Sequence, residues 1–576
     1  MARITFIKNK LEIEVEKGTK LIECIRKAGL NIETPCNGKG ICGKCKVIAR
    51  GNISPKTKEE EKFTEAEHIR LACMCEVIGD AQIELIEKDK NKKLKTINKG
   101  YSIETKLDSK IKKVKLNDID EKNNIPYKDT LKFATKKLSV LKKIGKIEKN
   151  KGKELCGVIY KEELIDIIHK DQFVLAVAVD IGTTGLSAYL LNLEDGQILN
   201  KISDLNPQTE YGGDVLSRIT YCMENKDGIE ILSKCIRGKI NSMMDKLIGS
   251  KYERKNVYEI AIAANTTMLH LFTGVNPNTI AKAPYRSIFL DQVEIKARDI
   301  SIEINEEGNI ILLPSLSSYV GADIVAGIVA TDFQNKKHPS IFIDIGTNGE
   351  LAAIYKGNMS ASSTAAGPAF EGMNISCGSR AEEGAIDNFY IDENYNIKYS
   401  TIGDKEAKSI CGSGLMDVMA ALIKSKVVMP SGRFNKNMPD KLKEKLKDKK
   451  FYITDNVYIS QNDVRQIQLA KGAISSGVTM LLKEIDANIE DIEEAVIAGA
   501  FGYHINPESI KILGIIPKGF KGKITFVGNS SIEGARLSLL NKDISQAMIN
   551  IRKNIRVVEL STREDFQNYF VKALAF

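Results

Sequence analysis

Short apolar runs that end in an aspartate and a glycine turn mark two places in the chain. The sequence VAVDIGTTG occupies residues 177–185, and IFIDIGTNG occupies residues 341–349. Each joins a run of strand length to Asp, Gly and small polar residues, which predicts a β-hairpin that presents a carboxylate, backbone N–H groups and a hydroxyl to a phosphate. One copy would be weak evidence, because an aspartate at a strand end can simply cap a turn. Two copies indicate two related hairpins that face each other across a nucleotide.

The hydrophobic pattern at the amino terminus is different. Residues 4–7 and 11–15 alternate as two strands, and residues 19–28 have the apolar face of a helix. Residues 82–86 have the pattern of a final strand. This pattern predicts a small α+β domain over residues 1–87.

A glycine-rich loop with cysteines lies inside this predicted domain. The sequence PCNGKGICGKC, residues 35–45, carries three cysteines, and RLACMC adds Cys73 and Cys75. Three thiolates in a tight loop plus one from a distant segment suit a [2Fe–2S] cluster, because backbone N–H groups of an irregular loop can point at the sulfides. Four thiolates would also hold Zn²⁺, but the strand–strand–helix lead-in favours iron. The RLAC context resembles the ferredoxin pattern and favours Cys73 over Cys75. The predicted ligands are therefore Cys36, Cys42, Cys45 and Cys73.

Lysine and asparagine dominate the next stretch, residues 88–124, where apolar residues are sparse. We expect a flexible basic linker there. A solvated tether is the simpler interpretation, and docking of an acidic electron-transfer partner is the alternative. Residues 125–172 are predicted to form a small helical or mixed middle domain. Its expected apolar face consists of Leu131, Phe133, Leu138 and Leu141.

Strands that run into small-residue loops recur through residues 173–576. The loops AGPAFEG, residues 366–372, and ICGSGLMD, residues 410–417, both lead into predicted helices. The sequence AVIAGAFG, residues 495–502, is a strand that ends in glycines, over which an adenine ring can lie flat. Together with the two hairpins, these features predict an α/β region with two lobes.

Composition narrows the class of protein. With 576 residues the chain should hold three or four domains, and 43% hydrophobic and 28% charged residues are ordinary for globular proteins. The net charge of +9 is thinly spread, so nucleic-acid binding is not expected. We find no signal peptide and no apolar stretch of membrane-spanning length, so we expect no membrane association and a cytoplasmic location. Its eleven cysteines should then be reduced.

The order of the motifs resembles the superfamily of sugar kinases, Hsp70 and actin. Combined with the amino-terminal cluster loop, the whole chain resembles the reductive activators of corrinoid-dependent enzymes. The resemblance implies a β-grasp ferredoxin-like domain, a linker with a small middle domain, and a two-lobed ATPase. It implies ATP-driven transfer of an electron from a [2Fe–2S] cluster to Co(II) of a corrinoid protein, with Mg²⁺ as a further cofactor.

The resemblance also assigns roles to individual residues. Asp180 and Asp344 would orient Mg²⁺ and its waters, because Mg²⁺ keeps most of its waters and needs only one or two carboxylates nearby. Phosphate oxygens would be held by Gly182, Thr183, Thr184, Gly346, Thr347 and Asn348. The glycines that let a helix N-terminus approach phosphate or a partner loop would be Gly412 and Gly414. The adenosine pocket would be lined by Gly499, Ala500, Phe501 and Gly502. For the water-positioning residue, Asp323 and Glu350 are candidates on proximity alone.

Two other functions fit parts of the pattern. A small-molecule kinase with a redox-regulatory ferredoxin domain would form a phosphorylated product, and an electron-carrier scaffold with a degenerate ATPase would not bind ATP. The expected partners are a corrinoid protein in the Co(II) state and an upstream low-potential electron donor. The sequence leaves open which corrinoid protein is served, what the reductant is, and whether the chain forms a homodimer.

Overall fold

The computed structural model describes residues 1–30, 32, 34, 38, 40, 43–64, 66–86, 103–116, 128, 133–146, 154–499 and 505–576. The chain forms two compact units, both assembled from separate stretches of sequence. One consists of residues 1–93, 205–236 and 270–288, and the other of residues 94–204, 237–269 and 289–576.

The amino-terminal sheet has five strands in the order β2-β1-β5-β3-β4. Its central pair, β1 and β5, is parallel, and the other pairs are antiparallel. The helix Leu21–Lys27 buries Leu21, Ile22 and Ile25 in the core of this sheet. A parallel central pair covered by one helix is the expected β-grasp arrangement. The strands are Ala2–Phe6 (β1), Leu11–Val15 (β2), Lys46–Ile53 (β3), Ile69–Leu71 (β4) and Val77–Leu85 (β5), and a short helix covers Lys58–Glu61.

A buried ion pair fixes the segment that leads to Cys73. Both carboxylate oxygens of Glu60 accept from the guanidinium of Arg70 at 3.0 Å, and Glu60 also accepts from the backbone N–H of Leu71. The remaining guanidinium donors reach the carbonyls of Ser54 and Pro55. Because both charges are fully hydrogen-bonded, the pair can be buried without an uncompensated charge.

The middle region contains a three-stranded antiparallel sheet, β6-β7-β8, and one helix. Its strand Ile111–Lys115 (β6) lies in the stretch predicted to be a tether, and it pairs with Leu155–Tyr160 (β7), which pairs with Glu163–His169 (β8). The helix Leu138–Ile144 buries Val140 and Ile144. The predicted apolar face was wrong at Leu138 and Leu141, which are 65% and 40% exposed, because the inward face of this short helix lies at Val140 and Ile144. Leu131 lies outside the described residues.

The first lobe of the large region is built on a six-stranded sheet in the order β11-β10-β9-β12-β14-β13. Its strands are Leu175–Ile181 (β9), Gly185–Asn192 (β10), Ile198–Leu205 (β11), Val257–Ala264 (β12), Val293–Lys296 (β13) and Asn309–Leu312 (β14). Along the sequence, the helices Val215–Glu224, Gly228–Ile248, Thr266–Thr273 and Ala322–Ala330 lie between or after these strands.

The second lobe is built on a sheet of the order β25-β24-β15-β16-β17-β26, with two small three-stranded sheets beside it. Its strands are Ser340–Ile345 (β15), Gly349–Tyr355 (β16), Asn358–Thr364 (β17), Ala385–Ile391 (β18), Ile397–Thr401 (β19), Ser409–Ile410 (β20), Leu446–Lys447 (β21), Lys450–Tyr452 (β22), Tyr458–Ser460 (β23), Glu494–Ala498 (β24), Lys523–Gly528 (β25) and Arg556–Val557 (β26). Its helices are Gly412–Lys424, Asp440–Lys443, Gln461–Glu484, Pro507–Leu513 and Phe566–Ala573. The helix Ser530–Leu540 packs instead on strands β9, β10 and β12 of the first sheet, and Lys542–Asn554 packs on Ser530–Leu540 and on Ala322–Ala330.

The two large sheets repeat one arrangement around the sequence motifs. In the first, the hairpin β9–β10 lies beside the parallel strand β12, and in the second, the hairpin β15–β16 lies beside the parallel strand β24. Asp180 is paired with Ser187 across its hairpin, and Asp344 with Glu350 across the other. The two aspartates therefore occupy equivalent places at the ends of equivalent strands. None of the helices in the described ranges is long and apolar enough to span a membrane.

Candidate functional site

The two predicted phosphate hairpins meet at their threonines. The hydroxyl oxygens of Thr184 and Thr347 lie 3.4 Å apart, although 163 positions separate them in sequence. In the first hairpin, a Cβ at Gly182 would lie 2.8 Å from the carbonyl oxygen of Gly185, so this turn needs glycine. In the second, the backbone N–H of Gly346 donates to the carbonyl of Asn348 at 3.1 Å. The structure thus brings together the two motifs that the sequence pattern paired.

Asp180 is held by the start of a helix from a distant part of the chain. Nδ2 of Asn529 donates to one carboxylate oxygen at 2.7 Å, and the hydroxyl of Ser531 donates to the other at 2.9 Å. Burial raises the pKa of Asp180, and these two hydrogen bonds oppose the rise. With both oxygens held, the orientation of the carboxylate is fixed. Neither Asn529 nor Ser531 was expected from the sequence.

Asp344 lies in a concentration of negative charge. Burial, followed by the charges of Asp323, Asp180 and Glu371, raises the pKa of Asp344 to about 8. Burial and the charges of Asp323 and Asp344 likewise raise the pKa of Glu350 well above its usual range. Burial raises the pKa of Asp323 as well, and the charge of Asp180 adds to it. Each carboxylate makes ionisation of the next one more costly.

These carboxylates fit a divalent cation. A cation among them would offset the repulsion that raises their pKa values, and Mg²⁺ prefers carboxylate oxygens and waters. Within the described part of the chain, no three His, Cys, Asp or Glu side chains are arranged to hold a metal ion by themselves. Asp180 and Asp344 could contact Mg²⁺ that keeps most of its waters and is shared with nucleotide phosphates.

Thr183 is supported from the adjacent strand β12. Nδ2 of Asn265 donates to the hydroxyl of Thr183 at 3.1 Å, and Oδ1 of the same residue accepts from the backbone N–H of Met268 at 2.9 Å. The second of these contacts caps the start of the helix Thr266–Thr273. In the other hairpin, the side chain of Asn348 hydrogen-bonds to Glu350. This bond opposes the rise in the pKa of Glu350 that burial causes.

Glu371 is a site residue that the sequence reasoning missed. Its Oε1 accepts from the hydroxyl of Thr347 at 2.8 Å, and its carboxylate is also hydrogen-bonded by Thr184. The sequence pattern indicates a small-residue loop at AGPAFEG, residues 366–372, but it indicates no role for Glu371. The sequence gives little signal for such a role, because a single glutamate at the end of a loop is common in proteins.

Gly414 and Gly499 both lie where the backbone packs closely against a neighbouring strand. A Cβ at Gly414 would lie 2.1 Å from the carbonyl oxygen of Ile386, so glycine lets the helix Gly412–Lys424 approach strand β18. This contact is a reason for glycine at residue 414, and the predicted approach of the helix N-terminus to phosphate stays a prediction. A Cβ at Gly499 would lie 2.5 Å from the carbonyl oxygen of Ile345, where β24 approaches the second hairpin. Ala500, Phe501 and Gly502 lie outside the described residues.

The cysteine loop brings two predicted ligands together. The sulfurs of Cys45 and Cys73 are 3.3 Å apart, and both residues are 1% exposed. Two thiols at this separation can bind one metal ion. Cys36 and Cys42 lie outside the described residues. Cys75 is a buried thiol whose pKa is raised to about 11 by burial, and its sulfur is hydrogen-bonded by Ser54.

Glycines shape the cysteine loop around Cys73. Gly40 has φ of +72°, and a Cβ there would lie 2.6 Å from the sulfur of Met74. Gly43 has φ of +63°, and a Cβ there would lie 2.5 Å from the ring of Phe63. Both the left-handed backbone and the close approach require glycine at these positions.

Three protein-family models match successive stretches of the chain. Residues 5–77 match the 2Fe-2S iron-sulfur cluster binding domain, residues 175–336 the RACo middle region, and residues 338–576 the C-terminal domain of RACo, the ASKHA domain. The first match decides for a [2Fe–2S] cluster over zinc. Over its whole length the chain is 30% identical to the corrinoid activation enzyme RamQ of Eubacterium limosum, of which it covers 99%.

The chain belongs to the family of reductive activators of corrinoid proteins. The [Co(II) methylated amine-specific corrinoid protein] reductase of Methanosarcina barkeri is 28% identical over 69% of the chain and 76% of its own length. A solved structure described as reductive activator for corrinoid,iron-sulfur protein superposes with a TM-score of 0.75 at 30% identity, covering 100% of the chain and 98% of that protein. The fold class and the ferredoxin–ATPase combination predicted from the sequence are confirmed.

Proposed function

We propose that this reductive activator uses ATP to drive one electron from its amino-terminal cluster domain to the Co(II) state of a corrinoid protein, which regenerates Co(I). The observation that carries the proposal is the contact between the hydroxyls of Thr184 and Thr347. It joins two phosphate hairpins, each with its aspartate, in a chain that also has a ferredoxin domain. A nucleotide bound between these hairpins can change the contacts between the two lobes.

Energy input is needed because the transfer is uphill. A two-iron cluster of plant ferredoxin type has a potential of roughly −400 mV, and we expect the corrinoid couple to lie lower. A gap on the order of 100 to 200 mV corresponds to about 2 to 5 kcal/mol, since each 59 mV is tenfold for one electron. ATP hydrolysis can supply this energy if the nucleotide state changes the affinity for the Co(II) partner.

Each site residue then has a task. Asp180 and Asp344 orient Mg²⁺, and their mutual repulsion with Asp323 and Glu350 makes cation binding favourable. The hydroxyls and backbone N–H groups of the two hairpins hold phosphate oxygens. A [2Fe–2S] cluster supplies the electron when it is bound by Cys36, Cys42, Cys45 and Cys73. Gly499 and the residues that follow it border the adenosine.

The electron balance implies two partners. One electron leaves the protein for each cobalt reduced, so a low-potential donor must reduce the cluster domain again after every turnover. The corrinoid protein is the acceptor. A homodimer would place two such electron sources in one assembly, and its existence stays a prediction.

An anaerobic assay tests the function. The reduced protein is mixed with Mg–ATP and a candidate Co(II) corrinoid protein, and the Co(I) absorption band is followed while phosphate release is measured. We expect Co(I) to form only with hydrolysable ATP, and hydrolysis to rise when the Co(II) protein is added. Co(I) formation at the same rate without nucleotide, or hydrolysis that ignores the Co(II) protein, would contradict the proposed coupling.

A further inference from the structure

Glu371 lies on a turn that the chain holds rigidly. It ends the one-turn helix Pro368–Glu371, between Gly367 and Gly372, both with φ of +76°. A Cβ at Gly372 would lie 2.2 Å from the carbonyl oxygen of Ser379, so the turn is pressed against the chain that follows it. The neighbouring side chain, Phe370, is fully buried and anchors the turn in the core of the second lobe.

The carboxylate of Glu371 touches both phosphate hairpins. It accepts from the hydroxyl of Thr347 at 2.8 Å, from the hydroxyl of Thr184, and from the backbone N–H of Thr347. Its Oε1 would lie 3.8 Å from a Cβ placed on Gly346, so it stands directly beside the glycine of the second motif. Burial raises the pKa of Glu371, and these hydrogen bonds together with the charge of Arg380 oppose the rise.

A hydroxyl has one proton, which determines what happens when a nucleotide binds. In this structure the Thr347 hydroxyl donates its hydrogen bond to Glu371. If Thr347 and Thr184 are to donate to phosphate oxygens, both must turn away from the carboxylate. Glu371 then keeps the backbone N–H of Thr347 but loses the two hydroxyl donors at the edge of the phosphate site, and the acceptor positions left unsatisfied there are costly. A water molecule between Glu371 and the terminal phosphate satisfies it.

The other carboxylates are placed differently. Asp323 uses Oδ1 to accept from the backbone N–H of Ile324 at 2.9 Å, at the start of its helix. Glu350 lies opposite Asp344 in the hairpin and feels the charges of Asp323 and Asp344. Both therefore belong to the group that surrounds the cation. Of these three carboxylates, Glu371 is the one that contacts the phosphate-holding hydroxyls of both hairpins.

We propose that Glu371 is the catalytic residue that orients and deprotonates the attacking water in ATP hydrolysis, an inference that rests on the function proposed above. The water oxygen forms a bond to the γ-phosphorus while the bond from that phosphorus to the β–γ bridging oxygen breaks. ADP leaves with the electron pair of the broken bond. The proton taken by Glu371 passes to the released phosphate, which restores the carboxylate.

The test compares Glu371→Gln and Glu371→Asp with Glu393→Gln, which changes an exposed glutamate on a surface turn of the same lobe. We expect Glu371→Gln to bind Mg–ATP within about threefold of the unchanged protein by calorimetry, while kcat for hydrolysis in the presence of a Co(II) corrinoid protein falls by about 100-fold or more. Glu371→Asp should recover part of the rate, because it keeps the carboxylate on a shorter side chain. Glu393→Gln should behave as the unchanged protein.

Two results would overturn the inference. A Glu371→Gln protein that hydrolyses ATP at the full rate removes the catalytic role, and one that loses ATP affinity by the same factor as kcat makes Glu371 a structural latch. If Glu371→Gln fails to fold, Glu371→Asp decides in the same way. A folded Glu371→Asp protein that binds Mg–ATP normally but hydrolyses it more slowly still separates a catalytic role from a structural one. If the unchanged protein shows no ATP hydrolysis stimulated by the Co(II) partner, the proposed function fails instead, whatever the variants do.

Discussion

Asn529 donates from its side-chain amide to the carboxylate of Asp180 over 2.7 Å, across 349 positions of sequence. The same amide group uses its oxygen to accept from the backbone N–H of Ile532, so Asn529 both caps the helix Ser530–Leu540 and orients Asp180. That helix packs against the helix Ala322–Ala330, whose first turn contains Asp323. The position of the first aspartate is therefore coupled to the packing of two helices.

Replacing Asp180 by alanine should abolish ATP-driven reduction of the corrinoid protein. The variant loses a carboxylate that orients Mg²⁺, while the cysteine loop is untouched, so the visible and EPR spectra of the cluster should not change. Co(I) absorbance after addition of Mg–ATP measures the effect. Asp171→Ala is the matched control, because that aspartate has a side chain that is 72% exposed. Full Co(I) formation by Asp180→Ala would remove this residue from the site.

Replacing Asn529 by alanine should give a graded loss. The carboxylate of Asp180 remains but keeps only the hydroxyl of Ser531 as a partner. Loss of an outer partner of a metal-orienting residue typically lowers metal affinity or activity by about 10- to 100-fold. We expect the Mg²⁺ concentration for half-maximal hydrolysis to rise, with maximal turnover less affected. An unchanged Mg²⁺ dependence in Asn529→Ala would show that the hydrogen bond serves the helix cap alone.

The sequence predicts site residues whose pattern lies within one short segment. It does not predict site residues whose hydrogen-bond partners lie far away in the sequence. The alternation around Asp180 and Asp344 predicts both hairpins, because strand, aspartate and glycine turn lie within nine residues. Asn529 and Glu371 show no such pattern. An asparagine before a helix and a glutamate after a phenylalanine also occur in helix caps and loops that have no functional role. Their roles depend on tertiary contacts with Asp180 and Thr347, and no periodicity encodes those contacts.

The predicted tether shows the same limit in another form. A lysine-rich stretch with few apolar residues indicates a linker, yet Ile111–Lys115 is a strand because it pairs with Leu155–Tyr160. Pairing with a partner some 45 positions away overrides the local composition. The domain boundaries at residues 87, 124 and 172 stay predictions.

Cys73 should be required for the cluster, and Cys75 should not. The sulfur of Cys73 lies 3.3 Å from that of Cys45, whereas the sulfur of Cys75 is buried and hydrogen-bonded by Ser54. Cys73→Ser should therefore lose or strongly alter the absorption and EPR signals of the [2Fe–2S] cluster after reconstitution. Cys75→Ser, the matched variant two positions away, should keep them. The opposite pattern would make Cys75 the fourth ligand.

Arg26 should stabilise the turn that contains Glu210 and Tyr211. Its guanidinium donates to the carbonyl of Glu210 at 2.8 Å and lies 5.1 Å from the centroid of the Tyr211 ring. A cation–π contact of this kind contributes about 0.5 to 2 kcal/mol. In Arg26→Gln we expect amide hydrogen exchange over residues 206–212 to become about 2- to 30-fold faster, since 1.4 kcal/mol is tenfold in a local opening equilibrium. The neighbouring change Lys27→Gln is the control, and equal exchange in both variants would contradict the contact.

Glu494 should give the second lobe a pH-dependent stability. Its carboxylate lies 2.6 Å from Nζ of Lys336 and 3.0 Å from Nε2 of His338, and it accepts from the hydroxyl of Thr525 at 2.7 Å. Although burial raises the pKa of Glu494, these three partners outweigh burial and lower the pKa to about 2. The ionised form is thus favoured in the folded state, so its stabilisation is complete above the unfolded pKa of 4.5 and is lost as the pH falls from there toward 2.

Thermal unfolding of Glu494→Gln and of the unchanged protein from pH 7 to pH 4 checks this expectation. At pH 7 the variant should be less stable by about 2 to 3 kcal/mol, because each unit of pKa shift corresponds to about 1.4 kcal/mol and relaxation in the variant recovers part of it. The difference between the two melting temperatures should be constant from pH 7 to about pH 5 and should begin to shrink as the pH approaches 4. Glu393→Gln, at an exposed position, should show no difference at any pH. A difference in melting temperature that grows toward acid would mean that Glu494 is not ionised in the folded protein at neutral pH.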